Sequence, residues 1–96
     1  MTMNYLQKFS FDLLEREKQL DQLYKLSSNH KLQMEQSAQC ACFSCVTQYD
    51  PSMIVEWADE RQTAVCPNCG VDAVIPGSYS EEMLTELYNR FFAENL

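Results

Sequence analysis

The sequence has few of the residues on which catalysis and phosphate binding usually depend. Its 96 residues include one histidine and two glycines, and no glycine-rich phosphate loop occurs among them. A lone histidine, without a paired nucleophile or acid–base partner in any recognisable motif, argues against an enzyme. The sequence therefore predicts a non-enzymatic protein.

Long apolar runs are missing from the first thirty residues, because charged side chains such as Lys8, Asp12 and Arg16 interrupt the apolar positions. This segment resembles neither a signal peptide nor the ~18-residue apolar stretch of a membrane helix. We therefore expect a cytoplasmic protein that does not bind membranes. In a reducing compartment, clustered cysteines are more often metal ligands than disulfides, and the odd count of five favours the same interpretation.

Basic residues are half as frequent as acidic ones, and the imbalance lies in one half of the chain. Residues 1–39 carry five acidic and five basic side chains, so the net charge of −7 comes entirely from residue 40 onward. Four thiolates around one Zn²⁺ would take that half to about −9. Such a surface repels phosphate, which makes nucleic acid an unlikely partner.

All five cysteines lie in two short stretches, CACFSC and CPNCG. Cys42 with Cys45 and Cys66 with Cys69 form two C-x-x-C pairs separated by twenty residues, a spacing typical of four-cysteine zinc sites. Two residues between cysteines let a tight turn aim both sulfur atoms at one tetrahedral ion. These four cysteines are the predicted ligands of a structural Zn²⁺ with no open position for substrate.

The fifth cysteine, Cys40, lies two residues before Cys42, which is too close for the same kind of turn. We predict that it is a spare, half-buried small apolar residue. The alternatives are a first pair made of Cys40 and Cys45, a redox-active C-x-x-C of the thioredoxin type, and iron in place of zinc. A closed four-thiolate site with no evident electron partner favours zinc over the last two.

The two pairs differ in the residues that shape their turns. In the second, Pro67 fixes the backbone at the entry, and Gly70 can adopt the positive φ that disfavours a side chain. The first has Val46 where glycine would be ideal, so we expect its turn to be strained or wider.

Helical patterns flank the cysteine region. From Tyr5 to about Leu26 there is no glycine or proline, and an apolar stripe follows a three-four spacing. The stripe consists of Leu6, Phe9, Leu13, Leu20 and Leu23. Because polar residues interrupt it, packing against the chain's own body is favoured over a homodimer through this helix, although both fit the pattern. A shorter helix is expected from about Asn29 to Gln36, with His30 as a partly exposed helix residue.

Strand and turn signals occupy the remainder. Residues 55–58 and 63–65 are typical of a hairpin, and VDAVI of a further strand that alternates before Pro76 ends it. Ser78 and Glu81 form a capping box at the start of a C-terminal amphipathic helix. Three aromatic residues near the end of that helix are expected to pack on the core, with exposed anchors for a partner as the alternative: Tyr88, Phe91 and Phe92.

The predicted fold class is therefore α+β. A small zinc ribbon, made of a short β-hairpin plus a further strand, is flanked by a long N-terminal helix and a C-terminal amphipathic helix. We predict a single domain with a helical arm over residues 1–37, the ribbon over residues 38–77 and the last helix over residues 78–96.

The ribbon carries a resemblance to known proteins. The residues concerned are Cys42-Phe43-x-Cys45, Trp57, Thr63-Ala64 and Cys66-Pro67-x-Cys69-Gly70-x-Asp72-x-Val74-Ile75. This pattern, over about residues 38–76, resembles a group of small, mostly uncharacterised bacterial and phage-encoded cytoplasmic proteins built on a zinc ribbon. The resemblance implies the ribbon fold and a four-cysteine zinc site, and it leaves the biological task open.

Protein binding is the function class that these observations favour. The first hypothesis is a zinc-stabilised adaptor or regulator that docks on another protein. The second is an acidic inhibitor of a nucleic-acid-handling or defence enzyme, with carboxylates in place of phosphates. The third is nucleic-acid binding through the basic residues of the N-terminal region: Lys8, Arg16, Lys18, Lys25 and Lys31.

Overall fold

The structure is a computed structural model that describes residues 5–93, with side chains from residue 14 onward. This part of the chain contains three α-helices and five short β-strands. The elements are α1 (Tyr5–Lys25), α2 (Lys31–Gln36), β1 (Cys40–Cys42), β2 (Thr47–Tyr49), β3 (Glu56–Ala58), β4 (Thr63–Val65), β5 (Val74–Pro76) and α3 (Glu81–Phe91). The α+β prediction is confirmed. None of the described helices has the length and apolar character that crossing a membrane requires.

Two small antiparallel sheets form the ribbon. β1 is the central strand of the first, in the order β2-β1-β5, with Ala41 opposite Gln48 on one side and Ile75 on the other. The second sheet is the predicted hairpin of β3 and β4, with Trp57 opposite Ala64. Every strand is three residues long. Strands this short bury little surface, so the sheets need support from the rest of the fold.

The last strand differs from the expected alternation. β5 begins at Val74, all its residues are buried, and Pro76 is its final paired residue, opposite Cys40. Proline is tolerated here because β5 lies at the edge of its sheet, where a missing N–H removes no ladder bond. A strand buried on both faces shows a continuous apolar run, so the alternation of VDAVI was misleading.

The hairpin tip between β3 and β4 has an unusual backbone. Asp59, Glu60 and Arg61 all have positive φ values, between 52° and 71°. Left-handed conformation costs roughly 1–2 kcal/mol for each residue that carries a side chain. The Asp59 carboxylate accepts a hydrogen bond from the Thr63 hydroxyl at 2.8 Å, which holds the two ends of the turn together.

α1 packs against the rest of the molecule through its C-terminal half. Leu20 is buried, and Leu23 and Leu26 pack beside it against the core. The ring of Tyr24 stacks on that of Phe91 in α3, with 4.0 Å between centroids. The other positions of the predicted stripe lie outside the described side chains: Leu6, Phe9 and Leu13.

Ion pairs also join α1 to α3. Arg16 donates to Glu86 at 2.6 Å, and Arg90 donates to Asp21 at 3.0 Å and lies 3.9 Å from Glu17. Partly exposed pairs of this kind contribute roughly 0–1 kcal/mol each. The apolar contacts therefore account for most of the attachment of α1.

α3 starts later than the capping box predicted. Its N-cap is Ser80, whose hydroxyl accepts the Met83 N–H at 3.1 Å, so the prediction of Ser78 with Glu81 was wrong. The residue before the cap, Tyr79, explains the shift. Its N–H donates a hydrogen bond at 3.0 Å to the side chain of Gln48 in β2, which keeps the chain on the sheet until residue 79.

The core lies where the ribbon meets α3. Leu84 and Leu87 of α3 are fully buried beside Phe43, which lies between the cysteines of the first pair. The Phe43 ring also packs on those of Phe91 and Phe92, at 6.4 and 5.6 Å between centroids. Burial of a phenylalanine stabilises a fold by about 1.5–3 kcal/mol. The first cysteine pair and the last helix therefore belong to one packed unit.

Candidate metal centre

Two turns from different sheets bring four cysteines together. Cys42 ends β1 and Cys45 lies in the turn that leads to β2. Cys66 follows β4 directly, and Cys69 lies in the loop that leads to β5. We call residues 42–46 the first cysteine turn and residues 66–70 the second.

Backbone hydrogen bonds fix both turns. Phe43 N–H donates to the carbonyl oxygen of Ala73 at 3.0 Å, which attaches the first cysteine turn to the segment before β5. Within the second turn, Cys66 N–H bonds to Val71 at 3.0 Å and Gly70 N–H bonds to Cys66 at 2.9 Å. The sulfur positions are thus set by the backbone as well as by side-chain rotamers.

The four sulfur atoms all lie within 4.8 Å of one another. The Sγ atoms of Cys42 and Cys69 are 3.6 Å apart, and those of Cys45 and Cys66 are 3.7 Å apart. Four sulfurs at about 2.3 Å from a tetrahedral centre would be about 3.8 Å from each other. A disulfide bond would require about 2.05 Å, so the arrangement fits a metal ion held by four thiolates rather than a disulfide.

Polar groups surround the sulfur of Cys45. Thr47 Oγ1 lies 3.0 Å and Asn68 Nδ2 lies 3.4 Å from it. Burial raises the pKa of Cys45, but the hydrogen bonds around its sulfur, of which those with Asn68 and Thr47 are the largest, together outweigh burial and bring the pKa down to about 7. Burial raises the pKa of Cys42 and that of Cys69. Those two thiols need a nearby positive charge, such as a bound metal ion, to ionise at neutral pH.

Cys40 lies outside this group. Its side chain is completely buried in β1, deeper than the half-buried position expected, and its thiol donates to the carbonyl oxygen of Tyr49 at 3.5 Å. Burial, followed by the charges of Asp50 and Cys66, raises the pKa of Cys40 to about 12. A thiol with that pKa stays protonated at neutral pH and acts as a small apolar residue.

The sequence patterns did not identify three polar residues that surround the sulfur atoms. Asn68 donates through its side chain to Cys45 and through its backbone N–H to Cys66, both at 3.4 Å. Its place inside the second C-x-x-C was the available signal. Thr47 and Tyr49 are brought in by the β1–β2 pairing, which no local pattern identifies.

The Tyr49 hydroxyl is buried and has no hydrogen-bond partner among the described residues. Burial raises the pKa of Tyr49, and the neighbouring Cys66, Cys40 and Cys42 raise it further. A buried hydroxyl without an acceptor is costly, whereas a thiolate beside it would accept a hydrogen bond from it. The orphaned hydroxyl is therefore a second observation that fits a metal-bound, ionised Cys66.

Tyr49→Phe should weaken metal binding by roughly tenfold, since hydrogen bonds to metal ligands are typically worth about 10- to 100-fold in affinity. Competition with a chromophoric chelator measures this change. Tyr79→Phe is the matched control, because its hydroxyl donates to the Pro76 carbonyl at 2.7 Å and not to sulfur. Equal metal affinities for the two variants would contradict a role of Tyr49 at the cysteines.

Val46 confirms the strain expected in the first cysteine turn. Its φ is 54°, in the left-handed region that a β-branched side chain rarely adopts. Gly70 occupies the corresponding place in the second turn with φ 78°. The two turns therefore share a conformation, and only the second has the residue that adopts it without strain.

The free energy of unfolding of Val46→Gly should exceed that of Val46→Ala by about 1 kcal/mol, whereas at most positions the glycine variant is the less stable one. The comparison removes the valine packing from both variants and leaves the Cβ atom as the difference. Chemical denaturation of the two metal-loaded variants measures it. A more stable alanine variant would show that the turn does not hold residue 46 at positive φ.

His30 is not the partly exposed helix residue that was expected. It is 1% exposed and takes the N-cap position before α2. Its Nδ1 lies within hydrogen-bond distance of the carbonyl oxygen of Leu26, and its Nε2 accepts a hydrogen bond from the Ala64 N–H at 2.9 Å. Its own backbone N–H donates to Gln62 at 2.7 Å. His30 thus ties the α1–α2 connection to the strand that leads into the second cysteine turn.

The arrangement can hold a metal ion for structural purposes. Four thiolates complete a tetrahedral coordination sphere, so a metal bound by all four offers no position for a water molecule or substrate. The assignment of Cys42, Cys45, Cys66 and Cys69 as ligands remains a prediction that metal analysis can test. Compared with known proteins, the chain matches no family model, no curated protein and no solved structure.

Proposed function

We propose that this protein is a non-enzymatic protein-interaction module, an adaptor or regulator, whose fold is held by a structural Zn²⁺. The convergence of four cysteine sulfurs within 4.8 Å is the observation that carries the proposal. Zinc is favoured because it prefers tetrahedral thiolate sites and needs no redox partner. The resemblance to small cytoplasmic zinc-ribbon proteins supports the same interpretation.

The surface of the ribbon supports binding to another protein. Val55 is 84% exposed and Met53 is 57% exposed, and both precede β3, the strand that carries the half-buried Trp57. Exposed large apolar side chains are common in binding sites. Neighbouring carboxylates, including Asp50 and Glu56, are not part of any ion pair among residues 14–93. The surface therefore combines apolar anchors with uncompensated negative charge.

Affinity capture from a bacterial lysate tests the proposal. The zinc-loaded chain should retain a defined protein, and the chelator-treated chain should lose it because the binding surface depends on the metal-held fold. Cys40→Ser, which leaves the cysteine quartet intact, should retain the same protein. Equal capture by the chelated chain, or no enriched protein at all, would contradict the proposal.

A second candidate, an acidic inhibitor of a nucleic-acid-handling or defence enzyme, is supported by the uncompensated carboxylates. In that case the captured protein would be a basic enzyme, and salt at about 0.5 M would release it because screening weakens charge attraction. Addition of the zinc-loaded chain would also lower the activity of the enzyme. Salt-resistant capture favours the adaptor.

Direct nucleic-acid binding through the basic residues of the N-terminal region is the third candidate. Arg16 is engaged with Glu86, and the Lys31 ammonium lies 5.8 Å from the centre of the Trp57 ring, which leaves less charge for phosphate. A gel shift with random duplex should show no binding at physiological salt. Tight, salt-sensitive binding would support this candidate instead.

A further inference from the structure

The two edges of the β3–β4 hairpin differ in what covers them. The outer edge of β4 is occupied by residues 29–30: His30 N–H donates to the Gln62 carbonyl, the Ala64 N–H donates to the His30 ring, and Asn29 N–H donates to the Thr63 hydroxyl at 3.0 Å. These contacts take the place of a neighbouring strand. Among residues 5–93 the hairpin is a two-stranded sheet, so no strand of this part of the chain pairs with the outer edge of β3.

The backbone of Trp57 faces that open edge. Trp57 lies opposite Ala64, and Ala64 turns its N–H outward to His30. The two residues therefore form a non-hydrogen-bonded antiparallel pair, in which both residues direct their N–H and C=O groups away from each other. Trp57 therefore directs both groups to the outer edge of β3, and no other described segment forms a backbone hydrogen bond with them. An unpaired edge of this type is a template for another strand.

A groove lies on the face of β3 that carries the Trp57 side chain. It has a volume of about 480 Å³, and apolar side chains such as Met34 and Pro51 line it together with the indole. Glu35 and Asp50 place carboxylates at the same groove. The groove thus offers an aromatic wall and negative charge beside an open strand edge.

We propose that the outer edge of β3 binds an extended, basic segment of a partner protein by strand addition. The residue of that segment opposite Trp57 would exchange both backbone hydrogen bonds with it, and its side chain would lie on the face that carries the groove. A lysine or arginine at this position fits the carboxylates of Glu35 and Asp50, while the chain's own Lys31 ammonium already lies 5.8 Å from the centre of the indole ring. The inference rests on the proposed interaction function and names the surface and the chemistry of the partner.

Charge selects a basic segment over a second copy of this chain. Five carboxylates lie at the groove, on β3 or at the hairpin tip: Glu35, Asp50, Glu56, Asp59 and Glu60. The described ion pairs lie between α1 and α3, so none of them neutralises this set. Lys31 and Arg61 supply the nearby positive charge and are outnumbered. A second copy would place the same carboxylates against these, which costs binding energy.

Synthetic peptides test the inference on the unaltered, zinc-loaded chain. Trp57 is the chain's one tryptophan, so its fluorescence reports binding at this edge. An acetylated, amidated hexapeptide of alternating valine and lysine should give saturable binding. The analogue with glutamate in place of lysine should bind at least about tenfold more weakly, because opposite charges become like charges.

Backbone methylation separates strand addition from simple charge attraction. N-methylation of the lysine residues removes the N–H groups that would bond to Trp57, and should weaken binding by at least about tenfold. N-methylation of the valines, whose N–H groups would point away from β3, should leave the affinity within about twofold. Equal affinities for the two methylated peptides would overturn the inference.

A matched pair of variants tests the groove. Glu35→Gln should weaken binding of the valine–lysine peptide at least about threefold, whereas Asp72→Asn, an exposed carboxylate outside the groove, should not. Equal effects of both variants, or concentration-dependent self-association in light scattering, would also overturn the inference.

If the peptides fail to bind while zinc-dependent capture of a protein persists, strand addition is wrong and the proposed function stands. Failure of both experiments rejects both.

Discussion

Chelation of the metal should convert this chain from a cooperatively folded protein into one without a fixed ribbon. The strands are three residues long, and the described core is assembled around the cysteine turns. Metal binding in four-ligand sites of this size supplies roughly 10–16 kcal/mol, while small domains have a net stability of about 5–15 kcal/mol. Loss of the metal therefore removes an amount of free energy comparable to the net stability of the whole fold.

Far-UV circular dichroism and proton NMR before and after dialysis against a chelator measure this effect. We expect loss of dispersed amide and methyl resonances, with partial retention of helical signal from α1, the longest helix. Zinc added back in equimolar amount should restore the spectrum. A chain that stays compact and unfolds cooperatively without any bound metal would contradict a structural role for the cysteines.

Cysteine variants identify the ligands. Cys42→Ser should lose most of its bound zinc and its cooperative unfolding, because three thiolates remain and Cys40 is directed to the Tyr49 carbonyl. Cys40→Ser should retain one zinc per chain, since a hydroxyl can make the same hydrogen bond. Mass spectrometry of the intact protein gives the stoichiometry. Release of zinc by the Cys40 change alone would favour the pairing of Cys40 with Cys45.

Features set by a few adjacent residues were predictable from the sequence. The C-x-x-C spacing anticipates which sulfur atoms converge, and the absence of glycine at Val46 anticipates a strained turn, which its φ of 54° confirms. The long N-terminal helix extends from Tyr5 to Lys25, one residue short of the expected end. Each of these depends on local backbone geometry, on which residue type and spacing act directly.

Features that depend on distant contacts were not predictable in the same way. Ser78 and Ser80 are both serine caps, and the hydrogen bond that the Tyr79 N–H donates to the Gln48 side chain of β2 decides between them. The burial of Cys40 follows from its place in the central strand, between β2 and β5. Neither contact leaves a pattern in the neighbouring residues, so single-sequence propensities could not have chosen correctly.

His30 is the strongest case of a role set by distant contacts, and its removal should be costly. His30→Ala leaves the Ala64 N–H without its acceptor and opens a cavity beside β4, which together should destabilise the metal-loaded chain by about 3–5 kcal/mol. Gln33→Ala, at an exposed position of α2, should change stability by less than about 0.5 kcal/mol. Urea unfolding at constant free zinc measures both. Equal stabilities for the two variants would contradict a supporting role for the imidazole.

The same contacts make the stability contributed by His30 dependent on pH. A carbonyl can only accept and an N–H can only donate, so Leu26 and Ala64 together require the neutral imidazole with its proton on Nδ1. Burial lowers the pKa of His30, and it outweighs the Leu26 hydrogen bond, which raises it. The unfolded chain, with an ordinary histidine pKa of about 6.5, therefore takes up a proton first as the pH falls.

Stability should thus be fully present above about pH 7 and decline below it, by up to about 1.4 kcal/mol per pH unit from this group. Thiolate protonation also releases metal in acid, and it does so in the wild type and in His30→Ala alike. The difference in unfolding free energy between the two proteins, measured from pH 8 to pH 5 at saturating zinc, isolates the histidine. That difference should shrink as the pH falls, because protonation places a second donor against the Ala64 N–H. A difference that stays constant or widens would mean that the folded protein accepts the charged imidazole, and that the edge of β4 is held by the backbone contacts of residues 29–30 without it.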